Sequence, residues 1–200
     1  MKLRVTPGFL LLMAAWYLLD RSGLYWCAVP AAALHEAGHL AVCRLCGGHP
    51  RCLTLSAGGL RIDYAGALSY PREAAVALAG AAANLLAACV SGAVHACTGS
   101  ADAACMAGVQ LLFAAANLLP LPALDGGQAL RALLGAVLPL QASDRAARAV
   151  SAFFSAMILI FGLYIAFKTR YNSIALLTGS LLLAGNTMQA KEASPLWTSV

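Results

Sequence analysis

Charge is so sparse in this 200-residue chain that the sequence divides into long uncharged runs, and those runs constrain the fold more than any other feature. They cover 5–19, 22–34, 74–101, 103–124, 149–167 and 171–190. Only 10% of the residues are charged and 61% are hydrophobic. A soluble domain is about 25% charged, so this chain cannot cover itself with a polar surface. A helix that crosses a bilayer needs about 20 mostly apolar residues. Six spans follow, at 6–20, 24–44, 73–98, 103–124, 149–167 and 171–190. The expected fold class is an all-α membrane protein of about six transmembrane helices. A short β-hairpin is expected between spans 2 and 3, and a broken helix in span 4. The chain reads as one polytopic domain over 1–200, with its core at 24–130 and flanking spans at 6–20, 149–167 and 171–190.

The basic residues orient these spans. With the N-terminus inside, the inner segments hold Lys2, Arg4, Arg44, Arg51, Arg61, Arg72, Arg131, Arg145, Arg148 and Lys191, and the outer ones Arg21, Lys168 and Arg170. Ten against three predicts that both termini are cytoplasmic. The net charge of +5 is then a signature of topology, and the expected surroundings are a lipid bilayer, with no nucleic-acid partner. The first apolar run follows Lys2 and Arg4 but lacks a small-x-small cleavage site before Asp20, so it reads as a retained helix. Seven cysteines, an odd number without a regular framework, argue against a disulfide scaffold. Cys43-x-x-Cys46, with His49 and Cys52 beyond it, has metal or redox spacing, but reads better as small apolar residues at a helix end.

Against this background stands His35-Glu36-Ala37-Gly38-His39 in span 2. On a helix, residues four apart leave the same face one turn apart, so His35 and His39 can meet one zinc ion. Glu36, beside the first of them, can act as general base on a water at that ion. A charged side chain in mid-membrane costs about 2.5–3.5 kcal/mol on insertion scales, so such a group is seldom there without a use.

A catalytic zinc has three protein ligands and a water. Asp20 and Asp102 belong to outer turns, Asp63 to the hairpin, Glu73 to the start of span 3, and Asp144 and Glu192 to cytoplasmic segments. Only Asp125 lies in a broken apolar segment, Asn117-Leu118-Leu119-Pro120-Leu121-Pro122-Ala123-Leu124-Asp125-Gly126-Gly127. Each proline removes a backbone donor and the glycine pair favours a turn, so the helix must break there. Irregular backbone at membrane depth is tolerated only inside protein or beside a water-filled cavity. Asp125 is therefore the expected third ligand.

Two further stretches stand out. Residues 52–56 and 60–64, with glycines between them, read as a hairpin. Its edge can pair with an extended peptide, or it can be a plain cytoplasmic loop. Asn84, a lone amide in span 3, suits either interhelical hydrogen bonding or a role at the site.

Taken together, His35-Glu36-Ala37-Gly38-His39, Gly80-x-x-x-Asn84 and Asn117-x-x-Pro120-x-Pro122-x-Leu124-Asp125-Gly126-Gly127 resemble the site-2 protease family of intramembrane zinc metalloproteases. The compact form is similar to the bacterial branch that includes the sporulation sigma-factor-processing protease. The resemblance implies zinc on His35, His39 and Asp125, with Glu36 as the catalytic base. It implies substrate-binding or oxyanion roles for Asn84 and Asn117, although Asn117 would equally well orient the Asp125 loop. It also implies a bacterial cytoplasmic membrane and a membrane-protein substrate, such as a membrane-bound transcription or sigma factor precursor or its regulator. A regulatory membrane partner belongs to the same expectation. The competing class is a transporter or channel passing protons or divalent metal along a His/Glu/Asp cluster. The absence of an inverted hydropathy repeat and the Asn…Leu-Asp-Gly segment count against it. An inactive homologue is disfavoured because His35, Glu36, His39 and Asp125 are all present.

Overall fold

Alanine forms the interior of this protein. Ala28 and Ala31 of one helix, Ala74, Ala77 and Ala81 of a second and Ala114 of a third are buried, while Leu86 and Ile160 are 70% and 67% exposed. A water-soluble domain buries its largest apolar side chains. Lipid removes that drive, so helices meet through small residues that let backbones approach, and large side chains face outward. The structure, a computed structural model, describes residues 2–56, 59–65 and 68–169. It falls into two compact units, Met1–Asn117 and Leu118–Val200.

The first unit contains β1 (Lys2–Val5), α1 (Pro7–Leu19), α2 (Tyr25–Leu45), β2 (His49–Ser56), β3 (Gly59–Ala65), α3 (Tyr70–Thr98) and α4 (Ala101–Asn117). Helices α2, α3 and α4 pack pairwise on one another. At the α2–α3 crossing, a Cβ on Gly38 would lie 2.7 Å from the carbonyl oxygen of Ala79 and 2.9 Å from the Ala83 Cβ. Only glycine permits that approach. Helix α3 starts after Ser69, whose backbone is extended, with a proline in its first turn, and it stops at Gly99 in the left-handed conformation (φ +68°). Asp20 organises the start of α2. One carboxylate oxygen accepts from the Ser22 amide and hydroxyl at 2.9 and 2.6 Å, and the other from the Tyr25 amide at 2.6 Å.

The strands form one sheet in the order β1-β2-β3. β2 and β3 are antiparallel from His49↔Ala65 to Ser56↔Gly59, with an irregularity between Pro50 and Cys52, where proline has no amide to donate. β1 lies parallel to β2, Lys2 opposite Cys52 and Val5 opposite Leu55. This strand occupies residues that the sequence suggests are only the charged flank of the first helix. Four residues carry too little periodicity to announce a strand whose partner lies about fifty positions on.

The second unit contains α5 (Asp125–Val137) and α6 (Leu140–Thr169). Helix α6 begins nine residues before the span expected at 149–167, because Asp144, Arg145 and Arg148 interrupt the uncharged run without interrupting the helix. Arg131 of α5 and Asp144 of α6 pair at 2.9 Å. The chain before α5 is held tightly. The Ser151 hydroxyl donates to the Pro120 carbonyl at 2.7 Å. A Cβ on Gly126 would lie 2.5 Å from the carbonyl carbon of Leu118, and one on Gly127 would lie 3.0 Å from the Pro122 nitrogen.

Among the described residues two helices are long and apolar enough to cross a bilayer, α3 and α6 over Leu140–Tyr164, against six spans expected from the sequence. Helix α1 has 13 residues, about 20 Å of helix and short of a bilayer core. Helix α4 has 17 residues, because the span expected at 103–124 ends at Asn117. Helix α2 has the length, 21 residues, but its apolar run is interrupted by His35, Glu36, His39 and Arg44. The span expected at 171–190 lies outside the described residues.

Candidate metal centre

His35 and His39 leave α2 one turn apart and are both buried, at 5% and 7% exposure. Their Nε2 atoms lie 3.1 Å from each other. The other ring nitrogen decides what that separation means. His39 Nδ1 is 2.7 Å from the carbonyl oxygen of Val76 on α3. A carbonyl only accepts, so His39 carries its proton on Nδ1. His35 Nδ1 is 2.7 Å from Asn84 Oδ1. The Asn84 amide nitrogen lies 3.1 Å from the Ala31 carbonyl and 2.5 Å from Gln110 Oε1, so its two N–H groups face acceptors and its oxygen faces His35. His35 therefore also carries its proton on Nδ1.

The two Nε2 atoms then face each other at 3.1 Å, close enough to share one cation. Two nitrogens bound at about 2.05 Å to one tetrahedral zinc would be roughly 3.3 Å apart. The pair fits such an ion. The carboxylate expected to complete the set is Asp125 of the second unit. Asp125, half-buried, is the first residue of α5, where the helix dipole favours a carboxylate. Two neutral imidazoles and one carboxylate make a donor set suited to catalytic zinc.

Space for an ion is kept by Gly80 of α3. A Cβ there would lie 2.6 Å from His35 Cε1 and 2.7 Å from His35 Nε2, with His39 Nε2 also inside contact distance. Gly80 and Asn84 are one turn apart, so the helix face that orients His35 also leaves room beside it.

Of the remaining sequence candidates, Glu36 is half-buried on α2 next to His35. Asn117 donates its side-chain amide to the Phe113 carbonyl at 3.1 Å, in the last turn of its own helix. Two groups escape the sequence reading. Gln110, 3% exposed on α4, carries a signal that could have found it, since it and Asn117 are the two amides in an otherwise apolar uncharged run. The Val76 carbonyl carries none, because a backbone group leaves no mark in the residue type.

Residues 98–161 match the family model described as Peptidase family M50. That segment contains Asn117 and Asp125 and begins after the histidine pair. No curated protein is similar enough to match the chain. Among solved structures, the site-2 protease from Methanocaldococcus jannaschii has the same fold, with a TM-score of 0.65 at 20% identity, covering 99% of this chain and 93% of that one.

Proposed function

We propose that this chain is a metallopeptidase of the site-2 protease type, a zinc endopeptidase that cuts a membrane-tethered protein in or near a transmembrane segment; the family match over 98–161 and the shared fold support this reading. The observation that carries this reading is the pair of buried imidazoles on α2 whose Nε2 atoms lie 3.1 Å apart. His35, His39 and Asp125 would hold the zinc. When bound, zinc supplies Lewis acidity, polarising the scissile carbonyl and making water acidic enough to lose a proton near neutral pH.

The chain's own residues do the rest. Glu36 takes a proton from the attacking water and returns it to the leaving amine. Asn84 orients His35 through its oxygen, and with both N–H groups committed to Ala31 and Gln110 it has none to offer an oxyanion. Asn117, at the end of α4, steadies the turn into the Leu118–Leu124 segment. That segment has irregular backbone, which at membrane depth is tolerated only inside protein or beside a water-filled cavity, and the second setting would admit the hydrolytic water. A substrate helix must be extended before its peptide bond can be reached. A sheet whose outer strands are β1 and β3 offers an edge to which an extended chain can add. The substrate class is a membrane-bound transcription or sigma factor precursor or its regulator, with a further membrane protein controlling access. The setting is a bacterial cytoplasmic membrane with both termini inside.

Metal content of detergent-purified protein, with His35→Ala, Asp125→Ala and Glu36→Gln alongside wild type, tests the site. The expected result is one zinc per chain, lost in the first two variants and kept in the third. Monodisperse wild type without zinc, or zinc retained by His35→Ala, would overturn the reading.

A further inference from the structure

The buried polar side chains of α2, α3 and α4 are His35, His39, Asn84 and Gln110, and of these only Gln110 is neither a proposed ligand nor in contact with one. It is 3% exposed, lies on α4, and reaches no proposed ligand. Its Oε1 lies 2.5 Å from the Asn84 side-chain nitrogen, the shortest side-chain hydrogen bond in this network. Its own amide nitrogen faces the Met106 sulfur at 3.8 Å, a weak acceptor.

We propose that Gln110 is a positioning residue for the metal centre, acting through Asn84 on His35. A buried primary amide can rotate by half a turn and exchange oxygen for nitrogen at almost no steric cost. Asn84 in the reversed sense would turn Nδ2 toward His35 and Oδ1 toward the Ala31 carbonyl and Gln110 Oε1. Two acceptor–acceptor contacts then oppose the flip, one from the backbone of α2 and one from α4, where the Gln110 amide is kept in its own sense by donating to the Met106 sulfur. Without the Gln110 oxygen only Ala31 opposes it. The reversed amide donates to His35 Nδ1, which draws the ring proton to Nε2 and blocks the nitrogen that faces the metal. Gln110 thus selects the His35 tautomer from two residues away. Outer groups that orient a metal-ligating histidine typically contribute 10–100-fold in metal affinity. An amide acceptor in a dry helix interface has little water to compete with it.

This inference rests on the zinc reading above, and the test separates the two. Zinc affinity is measured by competition with a chromophoric chelator, on monodisperse protein, for wild type, Gln110→Leu, Gln110→Glu and His35→Ala. Gln110→Leu keeps the bulk and removes the acceptor, so its zinc affinity is expected to fall about 10–100-fold. Gln110→Glu keeps an oxygen at that position, and its affinity is expected to stay near wild type. The visible absorption of the Co2+-substituted protein gives a second readout that a purely structural role would not move: Gln110→Leu shifts the d–d bands and Gln110→Glu does not. Gln110→Met replaces Gln110→Leu if the latter does not fold. Wild-type affinity and an unshifted Co2+ spectrum in the acceptor-free variant would overturn the positioning role and leave the metal centre intact. Zinc affinity that is unchanged in His35→Ala would overturn the centre itself.

Discussion

The two histidines and the aspartate of the proposed site are positioned by opposite means. His35 and His39 sit on α2, an uninterrupted helix of 21 residues, and their alignment comes from helical periodicity alone. Asp125 stands where the chain stops being helical after Asn117 and becomes helical again, and its placement comes from prolines, glycines and a hydroxyl anchor on the Pro120 carbonyl. A helix that carries ligands tolerates change around them, because many residues share in its geometry. A broken segment places its ligand through a few close contacts, each of which matters.

That contrast can be broken most sharply at the chemistry. Glu36→Gln should lower cleavage of a membrane-tethered reporter by about 10²–10⁴-fold with zinc retained, since it removes a general base and no ligand. Asp125→Asn should lose both activity and zinc. Equal zinc loss in the two variants would erase the distinction between base and ligand. Next in size is Gly126→Ala. Its new methyl meets the backbone of Leu118, which cannot give way, so a loss of about 1–3 kcal/mol in unfolding free energy is expected, read from thermal or denaturant unfolding in detergent. Gly80→Ala, on the helical side, meets imidazole rings that can turn aside. It should reduce zinc affinity about tenfold while changing stability less than Gly126→Ala does; the reverse order would mean that the helix, not the break, is the rigid partner.

The smallest effect lies outside the membrane. The Ser22 hydroxyl, followed by the Tyr25 amide, holds the Asp20 carboxyl below its ordinary value of 3.8. A group whose folded-state value is lowered stabilises the fold above its ordinary value, and that contribution is lost as pH falls through the lowered one. Asp20→Asn should therefore melt slightly below wild type at pH 7, and the gap should close toward pH 3. A gap that widens in acid would contradict the cap.

How far the sequence revealed this depended on the kind of information involved. The placement of His35 and His39 on one helix face was legible because periodicity is a property of the residues themselves. The break before Asp125 was legible because Pro120, Pro122 and the following glycines signal it in any context, and α4 does end at Asn117 before them. Strand β1 was not, since its partner is chosen by tertiary proximity to β2. The start of α6 was missed for a simpler reason, because charge ends an apolar run and does not end a helix. Asn84 was singled out but its place in the network was not, as hydrogen-bond direction depends on what three other helix positions present.

The Val76 carbonyl has a consequence for any mutational survey of this protein. It holds the proton of His39 on the side away from the proposed metal position, the service that Asn84 performs for His35. No substitution at position 76 other than one that moves the backbone can remove it. A scan that replaces every side chain in turn would therefore flag His35's support at positions 84 and 110 and return silence for His39's. The two ligands would look unequally buttressed in such data while being held by hydrogen bonds of the same length, 2.7 Å.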